Sequence, residues 1–167
     1  QTENLVDFKI DGQKIEVIDP RTENEDFVIF GVRSCDARSF KILDKVFIDP
    51  EPADSYYLNR RSHGTVITLA CTAPAETCFC KTFGIDATES ADGDITAWKT
   101  SDELILKAVS EKGRALLESL EEIIEKADST DEKTVEAQKT QTNTIYDKLP
   151  LHNLSTEKID GRSMKDT

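Results

Sequence analysis

The sequence predicts an α/β fold with a partly parallel mixed sheet flanked by helices, an N-terminal β-hairpin and a C-terminal helical extension. Two apolar strands at 27–32 and 65–70 enclose a helical segment, which is the βαβ pattern of parallel strands. An amphipathic segment at 110–127 supplies a further helix, because its apolar residues keep helical spacing. These observations together favour one sheet covered by helices.

The hairpin is predicted from alternating apolar residues around Asp11-Gly12. The alternating positions are Leu5, Phe8, Ile10, Ile15 and Val17. Asp-Gly between two such runs indicates a type I′ turn, in which glycine accepts a positive φ.

The βαβ unit begins with the continuous apolar run at 27–32, which is typical of a buried and central strand. Asp36 is expected to cap a helix that continues to Phe47, and Asp54 is expected to cap a second, short helix. The run at 65–70 is a second buried strand and ends at Cys71. Sites in such sheets form outside the carboxyl ends of the strands, so Cys35 and Cys71 should lie side by side there.

The remainder of the chain divides by composition. Two further strands are predicted at 94–100 and 102–109, followed by the amphipathic helix. After residue 128 the chain becomes polar, and its weak apolar stripe falls on Val135, Gln138, Thr142 and Ile145. We therefore predict an α/β cysteine-cluster domain at 1–127 and a helical, polar linker at 128–167.

Composition limits the possible functions. The 167 residues carry 33 acidic against 21 basic side chains, a formal net charge of -12. Such a chain is a poor partner for nucleic acid or an anionic membrane surface. It contains no apolar run of the roughly 20 residues that span a bilayer, and no signal peptide is evident. A cytoplasmic location is expected, where thiols stay reduced and clustered cysteines serve metals or catalysis more often than disulfides.

The chain has four cysteines, and three of them fall within "CTAPAETCFC" at 71–80. A disulfide framework is disfavoured, because Cys78 and Cys80 are separated by one residue and the chain is not a small secreted scaffold. Buried, unligated thiols fit the polar "TAPAET" loop poorly. Zinc remains open, with His63 and His152 as further ligands, although the spacing is unusual for zinc. A thiol-redox protein that uses Cys78 and Cys80 also remains open, and it requires a thiol with a lowered pKa.

A [4Fe–4S] cluster is the fifth interpretation. Such a cluster needs four thiolates that are spread more widely than the ligands of one ion. The ligands would be Cys35, Cys71, Cys78 and Cys80. A thiolate-bound cluster is anionic and favours nearby positive charge. Basic residues are enriched near the cysteines in sequence, namely Arg33, Arg38, Arg60, Arg61 and Lys81. We expect Arg33 and Lys81 to contact the cofactor, and Phe79 and Phe83 to limit its exposure to water. No catalytic residue is predicted.

Three blocks resemble a known family. They are "GVRSCDARSFKILDKVF", "DSYYLNRR" and "CTAPAETCFCKTFG". These blocks are similar to the iron–sulfur beta subunits of sulfhydrogenase-type nickel–iron hydrogenases and to the corresponding iron–sulfur subunit of anaerobic sulfite reductase. Ser34 stands where the family's "GVRPCD" has proline.

The resemblance implies that the four cysteines hold a cluster, and that the chain relays electrons beside flavin-containing and catalytic subunits. In the family, a ferredoxin-like module with two C-x₂-C-x₂-C-x₃-C-P runs follows this region. This chain contains no such run, so residues 128–167 are expected to be a linker toward that module. The alternative function is structural or docking, with the four-cysteine site bound to zinc or empty.

Overall fold

The computed structural model describes residues 6–18 and 25–151 and has the predicted α/β architecture. The strands are β1 (Asp7–Asp11), β2 (Lys14–Ile18), β3 (Phe27–Val32), β4 (Gly64–Leu69), β5 (Ile95–Lys99) and β6 (Leu104–Ala108). The helices are α1 (Ser34–Phe47), α2 (Ser55–His63), α3 (Glu111–Ser119) and α4 (Ser129–Tyr146), with a 3₁₀ turn at Cys80–Phe83. In the described part of the chain, no helix is long and apolar enough to cross a membrane.

The N-terminal hairpin is confirmed, and its register pairs Phe8 with Val17 and Ile10 with Ile15. Its turn differs from the prediction. Among the two loop residues only Gly12 has a positive φ, of 61°, whereas a type I′ turn requires positive φ at both central positions. The apolar side chains of the hairpin share one exposed face, which we call the hairpin face: Val6, Phe8, Ile10, Ile15 and Val17.

The four-stranded sheet has the order β3-β4-β5-β6. β3 is parallel to β4 and β4 is parallel to β5, whereas β6 is antiparallel to β5, so the predicted mixed sheet is confirmed. The predicted position of β3 was wrong, because this strand forms the edge of the sheet and is mostly exposed. A continuous apolar run identifies a strand, but it does not reveal whether neighbours cover both of its edges.

Helices α3 and α4 cover opposite faces of the sheet. Ile95 and Ala97 pack toward α3, whose Leu116 and Leu117 contact their cluster. Trp98 packs with Val135 of α4 in a second cluster. Successive side chains of a strand point to opposite faces of the sheet. Ala97 therefore faces α3, and Trp98 faces α4.

The predicted helix at 110–127 is confirmed only as far as Ser119. Ser110 caps its start by accepting the backbone N–H of Gly113 at 3.1 Å. No basic residue lies in its last turn, and Glu118 stands there instead, followed by Glu121 and Glu122. Carboxylates at a helix C-terminus oppose the helix dipole, which explains the early end.

The polar C-terminal region contains the predicted helix, as α4. Asp128 accepts the backbone N–H groups of Thr130 and Asp131, and the Asp131 side chain accepts the N–H of Asp128 in return. This capping box explains why a helix with a weak apolar stripe begins sharply at Ser129. The predicted domain boundary at residue 127 stays a prediction.

Candidate functional site at the carboxyl edge of the sheet

Cys35 lies in the first turn of α1, directly after β3. A bulge at Gly31, where φ is 86°, shifts the register between Phe30 and Val32 and redirects the chain as it leaves the sheet. Arg33 is then the N-cap, with extended backbone angles, and its carbonyl accepts the N–H of Ala37 at 2.9 Å. The predicted cap at Asp36 was therefore wrong by three residues. Asp36 is instead the acidic residue of the first turn, where it complements the helix dipole.

Cys71 lies just beyond β4, next to the end of β3. Its backbone N–H donates to the carbonyl of Ala87 at 2.8 Å, which holds the two ends of the cysteine loop together. The guanidinium of Arg33 donates to the Cys71 sulfur at 3.4 Å. As predicted, β3 and β4 are parallel neighbours. Arg33, just after β3, therefore reaches the Cys71 thiol, just after β4.

Cys78 and Cys80 lie in the loop that follows. The Cys78 N–H donates to the carbonyl of Ala75 at 2.9 Å, and the Ala75 N–H donates to the Cys78 sulfur at 3.3 Å. Cys80 then begins the 3₁₀ turn, which ends at Gly84 with a φ of 64°. The Cys78 sulfur is thus held by a local turn, and Cys80 by the turn after it.

One apolar cluster collects three of the four thiols. Cys71, Cys78 and Cys80 all pack against a buried group formed by Ala87, Tyr146 and Leu149. The loop that carries Ala87 is fixed in turn, because the indole N–H of Trp98 donates to the carbonyl of Thr88 at 2.8 Å. The sheet, the cysteine loop and the end of α4 therefore meet at this cluster.

Tyr146 is a residue of this site that the sequence did not reveal. It is 1% exposed, and its hydroxyl oxygen accepts the backbone N–H of Cys80 at 2.7 Å. The only available signal was helical spacing, since residues 135, 142 and 146 lie on one buried face of α4. The sequence stripe used Ile145 instead, and the structure leaves Ile145 exposed.

Cys35 is electrostatically linked to the loop thiols. Partial desolvation of its thiol and the charges of Asp36 and Cys80 raise the pKa of Cys35, although the residue as a whole is exposed.

Several predicted neighbours have other partners. Arg38 binds Asp92 at 2.6 Å, Arg61 binds Asp44 at 3.1 Å, and the His63 ring contacts the carbonyl of Asn59 at 2.9 Å. His152 lies outside the described residues.

Lys81 and two aromatic rings stay close to the cysteine loop. Lys81 forms an ion pair with Asp147, and its ammonium lies 5.8 Å from the ring centre of Tyr146. Phe79 and Phe83 are about half exposed and meet edge to face, with ring centres 5.7 Å apart.

All four cysteines fall in the described part of the chain, and all four are free thiols. Within residues 6–18 and 25–151, no three or more His, Cys, Asp or Glu side chains form a group that could hold a single metal ion. A mononuclear zinc site would need four sulfurs about 2.3 Å from one point. A cluster has several metal atoms, so its thiolate ligands stand further apart.

The fold and the thiols define an α/β domain with a cysteine-lined sheet edge. The chain is 41% identical over 107 residues to sulfhydrogenase 2 subunit beta of Pyrococcus furiosus, an alignment that covers 64% of this chain. It spans 30% of the length of that relative. The predicted resemblance to the sulfhydrogenase beta subunits is thereby confirmed. The predicted link to anaerobic sulfite reductase stays a prediction. No family model and no solved structure match the chain.

Proposed function

We propose that this chain is an electron-transfer domain of an iron–sulfur subunit in a hydrogenase-type oxidoreductase complex. Its cofactor would be one [4Fe–4S] cluster on Cys35, Cys71, Cys78 and Cys80. One observation carries the proposal: the free thiols of Cys71, Cys78 and Cys80 pack against one buried cluster, and the fourth free thiol, Cys35, lies in the first turn of α1, two residues after the Arg33 that donates to the Cys71 sulfur. The similarity to a hydrogenase beta subunit supports it.

The donor set fits such a group. Thiolates are the protein ligands of iron–sulfur clusters, and a bound cluster supplies the capacity to accept and release one electron. Cys35 contributes a sulfur from the first turn of α1, where the helix dipole favours negative charge. Arg33 holds the Cys71 sulfur and brings a positive charge to it. Lys81, paired with Asp147, lies beside the loop as a second cation.

The chain also limits water on one side of the thiols. Tyr146 and Leu149 are buried against the cysteine loop, whereas the Cys35 thiol is exposed. Exposure and local polarity are among the factors that set a cluster's potential. This asymmetry favours Cys35 as the ligand nearest to an electron-transfer partner.

The partners that we propose are other subunits of the complex, one of them flavin-containing and one catalytic, in the cytoplasm. The name of the relative describes one subunit of a sulfhydrogenase, which supports a multi-subunit assembly. In the proposed domain division, residues 1–127 carry all four ligands. Helix α4 belongs to the segment that follows and packs against the site through Tyr146.

The test is anaerobic purification of the full chain, followed by iron, sulfide and zinc analysis, visible absorption and EPR of the reduced state. We expect about four iron and four sulfide per chain, with broad visible absorption. Each of the variants C35S, C71S, C78S and C80S should lose that absorption. H63A is the control, since His63 is bonded within its own helix and should leave the cluster intact. Stoichiometric zinc without sulfide would overturn the proposal.

A further inference from the structure

Strand β3 forms the edge of the four-stranded sheet, although its sequence is typical of a covered strand. Its six residues, FVIFGV, include no charged side chain and no proline, which are features that keep an edge strand from pairing with another chain. Val28 is 48% exposed and Phe30 is 56% exposed. Among the described residues, no strand pairs with the outer side of β3. This edge is therefore an apolar surface that is open to a further strand.

The two faces of β3 are covered unequally. On one face, Ile29 lines a small cavity together with Phe40 of α1 and Val66 of β4. Phe30 lies on the other face, because it pairs with Ile67, whose side chain belongs to the cluster that α3 covers. Helix α3 packs against β4 and β6, and Val28 and Phe30 stay exposed beside it. The uncovered apolar area thus continues from the edge of β3 onto the α3 face.

A second copy of the same chain fits this edge. A two-fold axis perpendicular to the sheet places two β3 strands antiparallel, with equivalent faces on the same side. Residues that stand opposite each other in an antiparallel pair share a face, so the axis must pair a residue with its own equivalent. With Ile29 opposite Ile29, each Val28 stands opposite Phe30 of the other copy. Pairs of an aromatic and a β-branched side chain stabilise sheets, so this register is self-complementary.

The same register is complementary in charge. It places Glu25 of each copy opposite Arg33 of the other, and both side chains are exposed. Arg33 donates to the Cys71 sulfur at 3.4 Å, and its guanidinium has five N–H donors, so it can bind a carboxylate as well. The formal net charge of -12 opposes the association of two copies. Two symmetry-related pairs of opposite charge offset that repulsion at the contact.

We propose that the outer edge of β3 is the contact between two copies of this chain, which joins their two four-stranded sheets into one sheet of eight strands. The proposal goes beyond the proposed function, because no cysteine and no cofactor takes part in the contact. It also makes the second copy a neighbour of the cysteine site, since Glu25 of that copy binds the Arg33 that holds Cys71.

The first experiment measures the mass of the full-length wild type, V28K and V17K by sedimentation equilibrium at several protein concentrations. A reductant is present, so that disulfide-linked dimers do not form. Val17 is the matched control, because it has the same side chain on the hairpin face at 69% exposure. We expect dimers of the wild type and V17K and a monomer of V28K, whose lysine lies against Phe30 of the other copy. A monomeric wild type, a dimeric V28K or a monomeric V17K would overturn the proposal.

The second experiment uses amide hydrogen exchange in the wild type, and it decides the question even if V28K does not fold. Dilution of the dimer should speed exchange of the outward-pointing β3 amides by about tenfold, because each loses a hydrogen bond to the other copy. The amides of β1 and β2 should exchange at the same rate at all concentrations. If exchange in β3 does not depend on concentration, the contact is not at this edge.

The third experiment tests the register through the charges. Glu25→Arg should raise the dimer dissociation constant by about tenfold at low ionic strength, because both pairs then have like charges. Glu16→Arg is the matched control, since it makes the same change of charge at an exposed position of the hairpin. Equal dissociation constants for the two variants would contradict the register with Ile29 at its centre.

Discussion

The N-terminal hairpin and helix α4 have opposite properties. The hairpin has a clear apolar pattern, yet every residue of the hairpin face is exposed. Helix α4 is polar with a weak stripe, yet it contributes three buried residues: Val135, Thr142 and Tyr146. The strong apolar pattern of the hairpin therefore predicted its strands but not their burial. Helix α4 joins the core through a few buried side chains, although its apolar pattern is weak.

The largest expected effect on stability comes from removing an aromatic side chain from α4, and the same change in the hairpin is its comparison. Tyr146→Ala should lower the free energy of unfolding by about 3 to 5 kcal/mol, because it leaves a cavity and an unpaired Cys80 N–H. Phe8→Ala should change it by about 0.5 kcal/mol or less, since this ring is 67% exposed. Urea denaturation of both full-length variants provides the measurement. Equal losses would mean that the hairpin is as much a part of the cooperative unit as α4.

A smaller effect is expected from one chemical change made in both regions. Val135→Ala should cost about 1 to 2.5 kcal/mol, because the side chain is 9% exposed and packs with Trp98. Val17→Ala is the matched control, at 69% exposure, and should be close to neutral. Thermal melting of the two variants compares them directly. A larger loss from Val17→Ala would contradict the view that the hairpin face is solvent-exposed in the chain.

Glu89 forms ion pairs with Lys139 of α4 and with Lys107 of β6. These pairs should make the free energy of unfolding depend on pH. Hydrogen bonds from Lys107 and Lys139 lower the pKa of Glu89, so the folded value lies below the unfolded value near 4.5. The stabilisation is fully present above the unfolded pKa and is lost as pH falls through the folded pKa. Glu89→Gln should cost about 1 kcal/mol at pH 7, because the pairs remain partly solvated.

Melting temperatures between pH 3 and pH 7 test that dependence, with Glu136→Gln as the control. Glu136 also contacts Lys139, at 3.1 Å, but its side chain is mostly exposed. We expect the gap between wild type and Glu89→Gln to close at acid pH. A gap that is independent of pH would show that the loss is not electrostatic.

The smallest effect concerns the start of α1. Ser34 is 3% exposed, and its hydroxyl has no hydrogen-bond partner in the described structure. It occupies the first helical position, where proline is favourable, and the extended backbone of Arg33 suits a residue before proline. Ser34→Pro should therefore stabilise the chain by about 0.5 to 1 kcal/mol in chemical denaturation.

Ser34→Ala separates the two causes of that gain. It removes the unpaired hydroxyl but leaves the backbone as flexible as before, so it should give only part of the stabilisation. A destabilised Ser34→Pro variant would indicate that the Ser34 N–H has an essential acceptor.

The sequence predicted most of the elements and the proximity of the strand ends that lead to Cys35 and Cys71. These features depend on local pattern and on the rule that parallel strands end at one edge. The edge position of β3 was missed, because burial of a strand depends on neighbours that its own residues do not specify. Tyr146 was missed because a helix rotation of one residue separates it from Ile145, and a polar helix gives too little signal to choose between them.

The sequence also did not predict which basic side chain contacts a cysteine. Arg33 and Arg38 are both close to Cys35 in sequence, yet one binds Cys71 and the other binds Asp92. Which of them turns toward the sulfurs depends on the bulge at Gly31 and on the direction in which α1 leaves the sheet. These are three-dimensional properties that spacing alone does not contain.

The distance in sequence between Cys80 and Tyr146 has a consequence for biosynthesis. All four cysteines are synthesised before the residue that closes the site from behind, which follows Cys80 by 66 positions. At ordinary translation rates of about 5 to 20 residues per second, that gap lasts about 3 to 13 seconds. During this interval the cysteine loop is open on the side that α4 later covers. If the proposed cluster is bound, access for iron and sulfide would be widest on the nascent chain, before the last helix has formed.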